Sequence, residues 1–267
     1  MLGKLMKYEF RAIGRILPLL YAAWIFFSVL LSIDIVFLET GTPLGDILGM
    51  GFGSMYVILS FATVIVTFVI VIERFRRSLL CDEGYYMLTL PVKMETHITA
   101  KLLSSVIWGL FTGIVGIITF VIIATITSNF TIFDHLADAI DRIIALPTED
   151  FVALIFSIIE VAVLMILAVA RTAIKIFAAL ALGKISKKHP NLMAVAFYIG
   201  FGFIESTAWA VFFTTGRVIG INELFDGAFQ NFSGTNIFLL FLIIVNVAVF
   251  AIYFIITDMV MKRKLDI

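Results

Sequence analysis

Six long apolar runs limit the possible folds of this chain more than any other feature. They cover about Ile16–Leu38, Ile47–Ile72, Ile98–Thr127, Phe151–Leu182, Leu192–Gly220 and Ile237–Val260. A helix needs about 20 apolar residues to cross a hydrocarbon core of roughly 30 Å. Backbone groups in lipid must be hydrogen-bonded within the segment, and a helix does this. We therefore predict an all-α membrane protein with six transmembrane helices.

The composition excludes an ordinary soluble domain. Hydrophobic residues make up 62% of the chain and charged residues 14%, and the mean hydropathy is +1.13. Soluble domains have an apolar share of about half. The segments between the apolar runs are too short for a soluble domain, so we expect residues 1–267 to form one transmembrane domain.

The distribution of basic residues predicts the orientation in the membrane. The net charge is zero, yet all 19 lysine and arginine residues except Arg142 and Arg217 fall on the same side of the six runs as the N-terminus. Cytosolic loops of membrane proteins carry such an excess of positive charge. We expect a multi-pass protein of the cell (plasma) membrane with both termini in the cytoplasm.

Residues 1–16 have the pattern of an amphipathic helix. Apolar residues such as Leu5 and Phe10 share one face, while Lys7 and Arg11 recur at helical spacing on another. Helices of this kind lie in the plane of the lipid headgroups. A merely basic flank that determines the orientation is the alternative, because the positive-inside effect needs only the charges.

The cytosolic loop 73–101, between the second and third runs, contains a short helix signal. Asp82 is a suitable N-cap, Glu83 suits the first helical turn, and Pro91 ends the segment. A helix this short is not stable alone in water, so its apolar face needs a surface to pack on. We predict that it docks on another protein, with an ordinary connecting loop as the alternative. The predicted docking residues are Asp82, Glu83, Gly84, Tyr85, Tyr86 and Leu88.

The external segment 129–150 also has helical periodicity. Isoleucine and leucine recur on one face against Asp134, Asp138 and Asp141 on the other. We expect an interfacial helix on the outer membrane surface.

The fourth run contains charges at membrane depth. It extends well beyond the about 20 residues that a crossing needs, and no window of that length avoids both Glu160 and Arg171. Glu160, Arg171 and Lys175 share one helical face. Charges at this depth normally face a bundle interior or a wet cavity. We predict that this face lines a substrate path or a dimer seam, together with Glu205. The alternative is that Arg171 and Lys175 extend to the cytosolic headgroups and only Glu160 needs a partner.

Motifs for several kinds of chemistry are absent from the sequence. There is no phosphate-binding G-x-x-x-x-G-K-[ST] loop and no G-x-S-x-G motif, and the three histidines are not at metal-ligand spacing. The basic residues follow the membrane rather than a nucleic-acid-binding face. We therefore expect no enzymatic activity, cofactor, metal or nucleic-acid partner for this chain.

The chain resembles the permease subunit of a bacterial ATP-binding-cassette (ABC) exporter of the six-span type. The resemblance covers nearly the whole length and rests on residues 7–10 (KYEF), residues 82–85 (DEGY), residues 90–92 (LPV) and the six runs. The sequence departs from the family at Tyr85, where a small hydroxyl residue is common, and at Lys93, where serine is frequent.

The resemblance implies the function and the partners. In that family the loop between spans two and three carries a coupling helix that docks on cytosolic ABC ATPase subunits, which hold the ATP and Mg²⁺. A second permease copy or a paralogue completes the assembly, which moves an amphipathic drug, peptide or lipid-like substrate outward. An ion-coupled secondary transporter is the alternative, because it would explain buried charges. An intramembrane enzyme is a weaker one.

Overall fold

The computed structural model describes residues 2–37, 43–80, 94–128, 130–186, 188–219 and 232–265. Within these ranges the chain is almost entirely helical and contains no strand, which confirms the predicted all-α class. The helices are α1 (Leu2–Ile13), α2 (Leu17–Phe37), α3 (Pro43–Phe75), α4 (Met94–Thr127), α5 (Ile132–Ile144), α6 (Thr148–Gly183), α7 (Pro190–Ile219) and α8 (Phe232–Leu265). A π-helical turn, Arg76–Leu80, directly follows α3.

Six of these helices, α2, α3, α4, α6, α7 and α8, are long and apolar enough to cross a membrane. The spans cover Leu17–Val36, Ile47–Phe75, Met94–Thr127, Thr148–Gly183, Pro190–Thr215 and Gly234–Lys262, close to the predicted runs. At most 28% of the most apolar window of any span is buried inside the protein. Exposed apolar surface on this scale is a mark of contact with lipid. The chain is a multi-pass membrane protein.

The helices pack as two compact units. The described residues of Gly3–Val71 and Ile107–Ala145 form the N-terminal unit, and those of Met1–Leu2, Ile72–Val106 and Leu146–Ile267 form the C-terminal unit. The boundaries fall inside α3 and α4, so each of these helices contributes to both units.

In the N-terminal unit, α1 packs on protein through its apolar face. Ile13 is buried, and the Phe10 and Trp108 ring centroids are 4.8 Å apart. Lys7 and Arg11 are exposed, as the amphipathic pattern predicted. The helix is confirmed, while its position at the membrane surface stays a prediction.

Hydroxyl groups connect the spans of the same unit. The Tyr21 hydroxyl lies 2.8 Å from Thr112 Oγ1, which in turn lies 3.1 Å from Thr67 Oγ1. These contacts join α2, α4 and α3, and they satisfy groups that would be costly to leave without a partner in lipid.

In the C-terminal unit, α6 packs against both α7 and α8. Near the predicted cytosolic end, the buried Phe75 and Phe177 rings stack with centroids 4.1 Å apart. Lys262 Nζ lies 2.7 Å from Glu95 Oε1, which ties the start of α4 to the end of α8.

Two predicted surface helices have different outcomes. The segment 129–150 does contain a helix, α5, and it has no buried residue. Its location on the outer membrane surface stays a prediction. The predicted coupling helix, including Asp82, Glu83, Gly84, Tyr85, Tyr86 and Leu88, lies outside the described residues.

Candidate functional site

The candidate site is built on a close approach between α6 and α7. A Cβ atom added to Gly183 would lie 2.6 Å from the backbone nitrogen of Ala194, so only glycine fits there. Lys175 lies eight residues before Gly183 on α6. A Cβ atom added to Gly202 of α7 would lie 3.6 Å from Lys175 Nζ. The two helices run antiparallel, which brings the Lys175 side chain to the level of Glu205.

A buried ion pair joins these helices. Lys175 Nζ donates a hydrogen bond to Glu205 Oε2 at 3.0 Å, and the two side chains are only 11% and 19% exposed. Lys175 Nζ also lies 5.2 Å from the centroid of the Tyr198 ring. The ammonium group is therefore directed at α7, and it does not extend to the predicted cytosolic end of α6.

The third helix completes the arrangement through Tyr253 of α8. Its hydroxyl donates a hydrogen bond to Glu205 Oε1 at 2.6 Å, so both carboxylate oxygens have a partner. Tyr253 is buried, and its ring centroid lies 5.0 Å from that of Phe201. One carboxylate thus connects α6, α7 and α8.

A cavity of about 400 Å³ lies beside this polar cluster. Two of its lining residues are charged and the rest are apolar or aromatic. They are Arg171, Phe201, Ile204, Glu205, Ala208, Trp209, Phe212, Phe241, Val245, Val249, Ile252, Tyr253 and Ile256. Ligand pockets have volumes of about 300–1,000 Å³ and combine an apolar lining with a few polar groups.

Stacked aromatic rings form one wall of the cavity. The Phe212 ring of α7 stacks on Phe241 of α8 with centroids 5.2 Å apart. Trp209 lies one helical turn away from Phe212 and contacts it edge to face at 6.0 Å. The cavity therefore has a charged end at Arg171 and Glu205 and an aromatic end at Trp209, Phe212 and Phe241.

Glu160, the remaining charge of the α6 stripe, lies apart from this cluster. It is 11 residues from Arg171, which is about 16 Å along a helix. Its side chain is buried, and Oε2 has no hydrogen-bond partner among the described residues. One turn earlier on the same face, Ser157 and Asn236 of α8 are hydrogen-bonded to each other, and Asn236 Nδ2 donates to the Ala153 carbonyl oxygen at 3.1 Å.

The structure thus brings together three of the four predicted site residues, Arg171, Lys175 and Glu205. Sequence reasoning missed Tyr253 and the aromatic wall. The available signal for Tyr253 was a hydroxyl group within a mostly apolar run, but such a group does not identify its partner. Among the residues that the structure describes, no group of three His, Cys, Asp or Glu side chains could hold a metal ion.

Comparisons with known proteins found no match. No family model, no curated protein and no solved structure matches this chain.

Proposed function

We propose that this chain is the membrane-spanning subunit of an ATP-driven ABC exporter. The observation that supports this best is the cavity in the C-terminal unit, whose charged end and aromatic end suit an amphipathic molecule. The proposed substrate is a drug, peptide or lipid-like amphiphile that leaves the cell.

The energy comes from partner chains in this proposal. Cytosolic ABC ATPase subunits bind ATP and Mg²⁺, and a second permease copy or a paralogue completes the membrane part. The protein lies in the cell membrane with both termini in the cytoplasm, as the basic residues and the family resemblance predict.

Residues 82–90 are the proposed contact with the ATPase. Replacing Tyr85 and Leu88 by aspartate places charges on the apolar face of the predicted coupling helix, and burying an unpaired charge at an interface is costly. We expect the double variant to lose most of its copurified ATPase, measured by quantitative mass spectrometry of the affinity-purified protein.

The matched control is Ile185→Asp. Ile185 is 63% exposed in the segment between α6 and α7, which is predicted to be cytosolic too. This variant should retain the ATPase. Equal recovery of the ATPase with both variants would contradict the assignment of 82–90.

An ion-coupled secondary transporter is the second candidate. The buried Lys175–Glu205 pair and the buried Glu160 favour it, because ionisable groups at membrane depth often carry protons or bind ions. The energy source distinguishes the two functions. Substrate transport into proteoliposomes that contain this chain alone, driven by an imposed ion gradient, would favour the secondary transporter.

A further inference from the structure

Among the described residues that line the cavity of the C-terminal unit, one cationic side chain has no neighbouring negative charge to neutralise it. Lys175 and Glu205 neutralise each other at 3.0 Å, and the Tyr253 hydroxyl occupies the second carboxylate oxygen. Arg171, one turn before Lys175, also lines the cavity. Among the described residues its side chain makes no hydrogen bond and no ion pair.

This arrangement favours an anionic ligand group. A guanidinium group is always charged and matches the geometry of carboxylate and phosphate, which it binds through two parallel hydrogen bonds. A charge at membrane depth is costly without a partner. Arg171 and Lys175 would repel a cationic ligand, and each oxygen of Glu205 already accepts one hydrogen bond.

The opposite end of the cavity favours an apolar chain. Trp209, Phe212 and Phe241 lie at this end, and the remaining lining is mostly aliphatic. Aromatic side chains supply large apolar contact areas without a charge.

We propose that this cavity binds an amphiphile with one phosphate or carboxylate group, held by Arg171, and an apolar chain held by Trp209, Phe212 and Phe241. That this amphiphile is the transported substrate rests on the proposed export function, whereas its binding in the cavity does not. A free amphiphile and an anionic lipid of the bilayer share this chemistry.

Trp209 provides a direct measurement of binding. The chain has three tryptophans, so replacing Trp24 and Trp108 by phenylalanine leaves Trp209 as the only one. This background protein is reconstituted in phosphatidylcholine nanodiscs and titrated with amphiphiles that carry the same doxyl-labelled chain. The probes are an alkyl phosphate, a phosphatidic acid and a quaternary ammonium amphiphile.

We expect at least one of the two anionic probes to quench Trp209 at a concentration about tenfold lower than the cationic probe. A charge-assisted hydrogen bond supports a difference of this size. A lower midpoint for the alkyl phosphate than for phosphatidic acid would identify a free amphiphile as the ligand, and the reverse order would identify a bilayer lipid.

Variants of Arg171 provide the control. Arg171→Gln should raise the midpoint of the anionic probe about tenfold and leave that of the cationic probe unchanged or lower. Arg171→Lys, which retains the charge, should recover part of the loss, and Arg142→Gln on the exposed helix α5 should have no effect. Size-exclusion profiles verify that the variants are folded.

Equal midpoints for anionic and cationic probes, or an unchanged anionic midpoint in folded Arg171→Gln, would overturn this proposal. The outcome is separate from the export function. Loss of charge preference with an ATPase still copurified would overturn the ligand class alone, whereas anionic binding without any ATPase partner would overturn the export function alone.

Discussion

At the scale of single residues, Glu205 connects three helices of the C-terminal unit. Its carboxylate accepts hydrogen bonds from Lys175 on α6 and from Tyr253 on α8. Removing one member of a buried ion pair leaves the other charge without a partner, whereas removing both members often costs little. The contribution of the ion pair to protein stability can therefore be measured separately from a role in transport.

We predict that Lys175→Met lowers the free energy of unfolding by about 3–5 kcal/mol, because the buried carboxyl group of Glu205 then loses its cationic partner. The double variant Lys175→Met/Glu205→Met should recover most of that loss. Unfolding in mixed micelles with increasing denaturing detergent measures both values.

The exposed pair between Lys262 and Glu95 is the matched control, since its N–O distance of 2.7 Å is shorter but its side chains are 50% and 52% exposed. Glu95→Gln should change stability little, because solvent screens exposed pairs and Lys262 keeps its second partner, Asp258, at 2.6 Å. A Lys175→Met variant as stable as Glu95→Gln would show that the Lys175–Glu205 pair contributes nothing.

At the scale of helices, the approach of α6 to α7 determines where the site residues lie. Gly183 allows the contact with Ala194, and that contact sets the register of Lys175 against Gly202 and Glu205. A side chain at Gly183 would have to move the backbone of α7, not a flexible side chain.

We predict that Gly183→Ala destabilises the protein by about 1–3 kcal/mol, the usual cost of overpacking. Gly200→Ala in α7 is the control, because a Cβ atom there would meet nothing within 4 Å. Alanine is also the better helix former, so this variant should be neutral or slightly stabilising. The thermal midpoint of each purified variant, followed by size-exclusion chromatography, tests the difference. A Gly183→Ala midpoint equal to that of Gly200→Ala would contradict the proposed register.

The helices were more predictable than their contacts. Runs such as Phe151–Leu182 predict a span from length and hydropathy alone, and the 100° rotation per residue places Arg171 and Lys175 on one face. Which residues contact that face depends on how each neighbouring helix is oriented about its own axis. Apolar residues are spread around all sides of α8, so its sequence pattern does not indicate which face meets α6, and Tyr253 could not be assigned to Glu205 from sequence.

At the scale of the whole molecule, we propose that the membrane cavity of this chain works with an ATPase on a partner chain. The six spans and the amphipathic cavity are properties of this chain. In the proposed export function, a separate ATPase supplies the energy. Residues 82–90 were predicted as the contact with that ATPase from their short helix signal and from the family resemblance.

Purification of the full chain from its native membrane in mild detergent, followed by quantification of all copurified chains, tests this claim most directly. We expect an ATPase with a phosphate-binding loop in a one-to-one ratio with the permease chains, and Mg²⁺-dependent ATP hydrolysis in the same fraction. A purified fraction without any such ATPase, which still moves an amphiphile across a proteoliposome membrane when only an ion gradient is imposed, would contradict it.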